Sequence, residues 1–486
     1  MRVHLTGVCG TGMGSLALLL REAGHDVSGS DIRFDPPMGD VLRGADIRLL
    51  EGYSREHLLG EGAPPDLVVI GNAIRKDNVE AVAAEAAKLA RTSMSRALRD
   101  HFLAGRKPLV VCGTHGKTTT SALAAWILTR AGKEPGYFIG GVTKNFPESA
   151  SRGSPHRKLT ATGPSPFVVE GDEYDAVYWA KEPKFLDYVG IGPDDVAIVT
   201  SVEHDHIDIY PDPASYERAF DGLARALPPG GLVVCEGHDA RAVEIMQQSK
   251  ARLSAYALQG DDTRGRPAEW LGAPGIVDDE GRQLFDLYAG GVSCGRFALP
   301  VPGLHNVRNA IAAIAACAEG FGVPVATARA ALATFLGVKR RQDLIGEPRG
   351  VRVYDDFAHH PTAVDETLRA LRSRHPTGKL WAVFEPRSAT ACRAIHQEAY
   401  ARSFGAADRV LFAPLGRTNV PEEERLDTRG LARALGDKAE AMDSIDDIVD
   451  RVRAGVEAGD VVALLSNGAM GGLHARILGA LAERTS

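Results

Sequence analysis

Residues 109–131 run from an apolar strand pattern into the turn Gly113-Thr114-His115-Gly116-Lys117-Thr118-Thr119 and on into a helix pattern. Glycines in such a turn let backbone N–H groups converge on an anion, and the helix N-terminus adds a favourable dipole. Lys117 can reach terminal phosphates, and the Thr118 hydroxyl can ligate Mg²⁺. These residues suit the binding and cleavage of a nucleoside triphosphate. The usual phosphate loop has a glycine five residues before the second one. Here that position is Val111, so the loop is the compact form. An unliganded strand-to-helix turn is the plainer reading, but strand, loop, Lys-Thr pair and helix in that order argue against it.

Beyond the loop, the strand pattern Phe167-Val-Val-Glu170 delivers four carboxylates, Glu170, Asp172, Glu173 and Asp175, within six residues. Like charges this dense need a counter-ion, and a Mg²⁺ bridging ATP phosphates supplies one. A solvated acidic loop fits the same residues. The strand 196–200 ends in Glu203-His204-Asp205-His206-Ile-Asp208. That resembles the HxHxDH string of binuclear metallohydrolases, but Ile209 stands where the string needs histidine. One of these histidines, beside the loop, is a candidate metal ligand. Asn306 and Asn309 share a helix face and could read a base or cap the helix. Lys339-Arg340-Arg341 could swing a cation onto phosphate or form a solvated linker. Tyr354-Asp355-Asp356-Phe-Ala-His359-His360-Pro361-Thr362 and Ser466-Asn467-Gly468-Ala-Met-Gly471-Gly472 sit at strand ends; spacing alone leaves function and scaffolding equally open for both.

The elements that must position these residues are strands alternating with helices, which argues parallel sheets. Residues 2–31 read strand, glycine-rich turn, helix, strand. The glycines at 7, 10, 12 and 14 do not match GxGxxG, and Asp31 closes the second strand about where a ribose hydroxyl is held. This start could hold NAD, a nucleotide sugar or nothing. We expect domains over 1–106, 107–336 and 337–486. The second has a suspected flexible loop at 144–166 and a small antiparallel appendage at 257–302. In the third, strands are predicted at 351–355, 380–384, 409–412 and 461–465.

At 486 residues the chain exceeds one ordinary domain, and 44% apolar with 24% charged residues is normal for a globular enzyme. A net charge of −7 argues against a nucleic-acid surface. Six cysteines without a CxxC clip, and a start with no signal-peptide pattern, point to a reduced, cytoplasmic setting. The most apolar helix signal, 310–317, is too short to span a bilayer.

Taken in order, Gly113-Thr-His-Gly-Lys-Thr-Thr119, Glu170-x-Asp-Glu173, His305-Asn306-x-x-Asn309, Arg340-Arg341 and Asp355-Asp356-x-x-His-His-Pro-Thr362 resemble the motifs of the Mur ligase family of peptidoglycan synthesis, over nearly the whole chain. The resemblance implies an α/β, three-domain architecture. It has an N-terminal Rossmann-like UDP-binding domain, a central P-loop ATPase-like domain and a C-terminal Rossmann-like domain. Two sister types are similar. One adds L-alanine to UDP-N-acetylmuramate; the other, a recycling ligase, adds the tripeptide L-alanyl-γ-D-glutamyl-meso-diaminopimelate. Glu173-Tyr174-Asp175 with Lys184-Phe185, and Phe384-Glu385-Pro386-Arg387-Ser388, resemble the second. Gly171 departs from the alanine usual there, and Trp179-Ala-Lys181-Glu-Pro-Lys184 from the customary Phe-Asp-Lys-Arg-Ser-Lys.

The implied chemistry is ADP-forming amide ligation through an acyl phosphate, with ATP as cosubstrate and Mg²⁺ as cofactor. By resemblance, Lys117 neutralises phosphates, Thr118 and Glu170 hold one Mg²⁺, and His206 supports a second. The loop residues 113–119, Asn306, Asn309, Arg341 and Asp356 would bind ATP, and Lys117, Glu170, His206, Arg341 and Asp356 would form the catalytic set. Gly10, Thr11, Gly12, Met13, Asp31 and Asn72 would take the UDP-sugar. Arg387, with Ser466 and Asn467, would take the peptide, because a guanidinium suits bidentate pairing with a diaminopimelate carboxylate. The expected partners are these small molecules, with no nucleic acid, membrane insertion or obligatory protein partner. The reading from a different class is a nucleotide-binding regulator without ligase chemistry.

Overall fold

The computed structural model describes residues 1–35, 38–154, 164–417 and 419–483, and three large sheets follow one another along it, with a two-stranded hairpin of Asp175–Val177 and Ala180–Pro183 besides. The first has five parallel strands in the spatial order Arg48–Glu51, Asp26–Asp31, Arg2–Thr6, Leu67–Ile70, Arg91–Ser93. Gly7, at φ +84°, turns the chain so that its own N–H and that of Val8 both donate to Ser30 O, at 2.8 and 3.0 Å. The helix Thr11–Glu22 then begins at Gly10 with no side-chain cap, leaving its first amides open.

The central sheet has ten strands, with Lys107–Cys112 between Val196–Val199 and Pro166–Glu170, all parallel. Leu109 to Cys112 are wholly buried, as a strand covered on both faces requires. The antiparallel strands Trp270–Val277, Gln283–Ala289 and Val292–Leu299 are not a separate appendage. Trp270 pairs in parallel register with Tyr256 of Arg252–Leu258, so they lengthen the same sheet. Phe285, Leu287, Phe297 and Leu299 need covering, and the helix Leu304–Ala315 and its neighbours in the same core cover them. Part of the suspected flexible loop is also regular: Ala150–Ser151 pairs with Gly136–Phe138, while 155–163 lie outside the described residues.

The third sheet has six strands in the order Asp343–Gly346, Arg352–Asp356, Val461–Leu465, Leu380–Phe384, Arg409–Phe412, Ala439–Ala441, antiparallel only at its first pair. Apolar cores line both faces.

The two seams between sheets differ in chemistry. The first and central units share one apolar core through Met94, Leu98, Phe102 and Phe138. The third unit meets the central one through polar contacts, such as Thr362 on Glu203 and Ile207 N–H on Thr390. Polar seams permit relative motion more readily than apolar ones. Where the chain crosses into the third unit, Lys144 N–H donates to Gly337 O at 3.0 Å and Lys339 N–H to Val142 O at 2.9 Å, a two-stranded ribbon. Beside it, a β-carbon on Gly141 would meet the Thr118 methyl at 2.7 Å. Among the described residues no helix is long and apolar enough to cross a membrane, and all six cysteines are free.

Candidate active site

The phosphate loop lies between Lys107–Cys112 and the helix Lys117–Arg130. Two glycines are sterically required. Gly113 has φ +122°, and a β-carbon there would lie 2.2 Å from Thr200 Oγ1. Gly116 has φ +76°, and its β-carbon would lie 2.3 Å from Asn309 Oδ1. Thr114 fixes the loop by donating to Glu203 O at 2.8 Å, and His115 N–H donates to Ser201 Oγ at 3.1 Å.

Lys117 donates to Gly113 O at 2.6 Å and to Glu173 Oε1 at 2.8 Å. Burial alone would lower its pKa, but Glu173, with Asp172 and Glu170, outweighs burial and raises it, so the ammonium stays charged. Thr118 donates to Glu170 Oε1 at 2.7 Å, and Gly140 N–H to Oε2 at 2.7 Å. Burial and the nearby Asp172 raise the Glu170 pKa despite these bonds. Glu173 Oε2 is buried without a hydrogen-bond partner, and His206 Nε2 stands 3.9 Å from it. His206 adopts φ +56°, an unusual left-handed turn that brings its ring onto Tyr174, centroids 4.5 Å apart.

A hydroxyl, a carboxylate raised by burial, and an orphaned carboxylate oxygen are hard oxygen donors that fit Mg²⁺. Thr118 and Glu170 touch each other, whereas His206 faces Glu173 instead. Glu173 is the residue the reading from sequence left without a role, although it stood in the acidic run.

Asn309 borders the loop. Asn306 donates to Pro302 O at 2.8 Å, and Asn309 Nδ2 to Asn306 Oδ1 at 3.4 Å, so both are buried and neither is the residue before the helix. Arg308 between them holds Glu236 and Asp261. From the third unit, Asp356 accepts from Gln342 N–H at 2.7 Å and Ala358 N–H at 2.8 Å. Its burial raises its pKa, opposed by Arg341. Arg341 lies over the Phe357 ring, at 5.2 Å. Arg340 is committed elsewhere, to Asp355 and to the carbonyls of Ser466 and Gly468.

Glu203, at the end of the strand Val196–Val199, accepts from Thr362 at 2.9 Å and lies 2.8 Å from His115 Nε2. Burial alone would raise its pKa, but the bond to His115 and its charge hold it down to about 2. Burial, with His115 close by, pushes His360 down to about 3. Sequence motifs contained Glu203 and His360, but only the fold shows that they meet.

In the first unit the open amides of Thr11, Gly12 and Met13 follow Gly10. Asp31 is already engaged: it accepts from Cys9 N–H at 2.8 Å and from the Tyr53 hydroxyl at 3.3 Å. Asn72 is exposed nearby, after the strand Leu67–Ile70. Glu80, missed from sequence, is wholly buried beneath this end and bound by Thr6, Ser30, His4 and His57.

Arg387, in the third unit, lies against Gly468, where a β-carbon would be 2.0 Å from its Cδ, and pairs with Glu385 at 3.5 Å. Ser466 is wholly buried and donates to Glu385 Oε2 at 2.6 Å. It therefore holds Glu385 in place beside Arg387. Asn467 Oδ1 is buried and unpartnered.

Three family profiles match in the order of the three sheets. "Mur ligase family, catalytic domain" covers residues 2–106, "Mur ligase middle domain" 111–317 and "Mur ligase, glutamate ligase domain" 340–468. A UDP-N-acetylmuramate–L-alanyl-γ-D-glutamyl-meso-2,6-diaminoheptandioate ligase of Escherichia coli K12 is 37% identical, over 100% of this chain and 99% of that one. The chain belongs to the Mur ligase family. A UDP-N-acetylmuramate–L-alanine ligase of Roseiflexus sp. RS-1 is 34% identical, with 96% of each chain covered. The crystal structure of a murein peptide ligase from Psychrobacter arcticus superposes with a TM-score of 0.70 at 32% identity, covering both chains fully. In this Mur ligase Gly171 has a local cause: a β-carbon there would meet Cys112 Sγ and Phe185 Cβ, both at 2.8 Å.

Proposed function

We propose that this Mur ligase joins L-alanyl-γ-D-glutamyl-meso-diaminopimelate to UDP-N-acetylmuramate, forming ADP and phosphate. The observation that carries the reading is full-length similarity, at 37% identity, to a ligase named for that reaction. The site supports it through a charged Lys117 on the phosphate loop, with Arg341 and Asp356 on the third unit. In this reading, an oxygen of the lactyl carboxylate attacks the γ-phosphorus, the bond to the bridging oxygen breaks, and ADP leaves. The alanine nitrogen of the peptide then attacks the acyl carbon and loses a proton, and phosphate departs from the tetrahedral intermediate. A carboxylate acylates poorly until its oxygen becomes a good leaving group.

Lys117, Gly113 and the open amides of the helix face the charge that grows on the phosphoryl oxygens. Thr118, Glu170 and Glu173, with His206, would hold Mg²⁺, which when bound offsets that charge. Arg387, steered by Glu385 and Ser466, is the group suited to a carboxylate of the peptide's far end. The deciding experiment incubates the protein with ATP, Mg²⁺, UDP-N-acetylmuramate and either the tripeptide or L-alanine, and follows ADP and product mass. The reading expects a tripeptide adduct formed in step with ADP. Product with free L-alanine alone would assign the chain to the sister type, and ADP release without an amide would favour a nucleotide-binding regulator.

A further inference from the structure

His360 is 4% exposed, yet neither of its ring nitrogens has a hydrogen-bond partner. A desolvated, unpaired imidazole is costly unless something else satisfies it. Its Nδ1 stands 3.8 Å from Glu203 Oε2, and its ring centroid is 4.9 Å from that of His115. His115 Nε2 lies 2.8 Å from the same Glu203 oxygen. One ligand atom from each of the three residues lies within 4.8 Å of the others. We propose that His115, Glu203 and His360 form a site for a zinc-class transition metal ion, distinct from the magnesium residues, that clips the third unit to the phosphate loop.

Two imidazoles and one carboxylate match the ligand set of Zn²⁺ with an open fourth position, whereas Mg²⁺ prefers oxygen. Ligands about 2.0–2.1 Å from a tetrahedral ion are roughly 3.4 Å apart. The two separations from Glu203, 2.8 and 3.8 Å, bracket that edge. The ion replaces the His115–Glu203 hydrogen bond. The other Glu203 oxygen stays occupied by Thr362, the kind of outer contact that orients a metal-bound carboxylate. The three ligands come from the loop, from the end of Val196–Val199 and from the residue before the helix Pro361–Arg374, so only the assembled seam makes the site.

The test needs no turnover and so stands apart from the ligase reading. Metal-stripped, nucleotide-free protein is titrated with Zn²⁺ by calorimetry and with Co²⁺ by visible absorption, in excess Mg²⁺. The expected result is one ion per chain and the absorption of four-coordinate cobalt without a thiolate band. His360→Ala and Glu203→Gln should each weaken binding by about tenfold or more with unchanged circular dichroism, and His206→Ala should leave it intact. If His360→Ala does not fold, His115→Gln gives the same reading. Unchanged affinity in these variants, a thiolate band, displacement by Mg²⁺, or equal loss in His206→Ala would overturn the proposal.

Discussion

Lys117 Nζ lies 2.8 Å from Glu173 Oε1 while also reaching back to the carbonyls of Gly113 and Thr114. The cation is therefore pre-placed over the loop by a carboxylate that also faces His206. Lys117→Ala should lower kcat by about 10²–10³ or more, on the scale of removing a donor to developing charge. Binding of UDP-N-acetylmuramate, measured by calorimetry, should be unchanged because the residues proposed to take it, Gly10 to Met13 and Asp31, belong to the unit of another sheet. Wild-type turnover in the variant would remove Lys117 from the mechanism.

Gly116 and Asn309 are coupled by contact. Gly116→Ala places a β-carbon 2.3 Å from Asn309 Oδ1 in a left-handed conformation. The KM for ATP should rise by roughly tenfold, in line with about 1–2 kcal/mol of strain. Asn309→Ala should cost less in the Gly116→Ala background than in wild type, and steady-state kinetics on the double-mutant cycle would detect it. Strict additivity would mean the two residues do not press on each other.

Arg387 is held between Glu385 and Gly468 with its guanidinium partly exposed. Arg387→Lys keeps the charge and loses the fork, so the KM for the tripeptide should rise roughly tenfold. The KM values for ATP and the nucleotide sugar should stay level. Equal effects on all three substrates would point to a structural role.

Glu80 makes the stability of the first unit pH-dependent. Burial alone would raise its pKa, but hydrogen bonds from His4, Ser30 and Thr6 hold it down to about 2, against an ordinary 4.5. Its stabilising contribution is fully present above pH 4.5 and is lost as pH falls towards 2. A shift of this size corresponds to about 3 kcal/mol. Glu80→Gln should destabilise the protein at pH 7 and flatten its stability profile at acid pH, as followed by urea unfolding. A profile parallel to wild type would show that Glu80 is not the titrating group.

Gly171→Ala tests the departure from family habit. Its added methyl meets Cys112 and Phe185 at 2.8 Å, an overpacking that should cost about 1–3 kcal/mol. Thermal melting would register it, and an unchanged midpoint would mean the strand end gives way freely.

Much of the framework was legible because parallel strands buried on both faces are written as continuous apolar runs. Leu380–Phe384, Arg409–Phe412 and Val461–Leu465 are such runs, and the sheet has them as read. The antiparallel strands after Trp270 were also legible, but a local pattern carries no record of which sheet edge receives it. Side-chain partners were the least legible. Glu80 sits in an alanine-rich helix and reads as a solvated charge until Thr6 and Ser30 close over it. Glu203 and Thr362 are 159 positions apart, and no periodicity links them. Ser466 opens a glycine-rich turn, and no local pattern tells that the sheet end buries it against Glu385.

The ribbon of residues 142–144 against 337–339 begins one residue from Gly141, where a β-carbon would lie 2.7 Å from the Thr118 methyl. The join between the two units therefore lies beside the threonine whose hydroxyl meets Glu170. A substitution that slackens the ribbon is therefore expected to loosen the loop from a distance, without touching a phosphate.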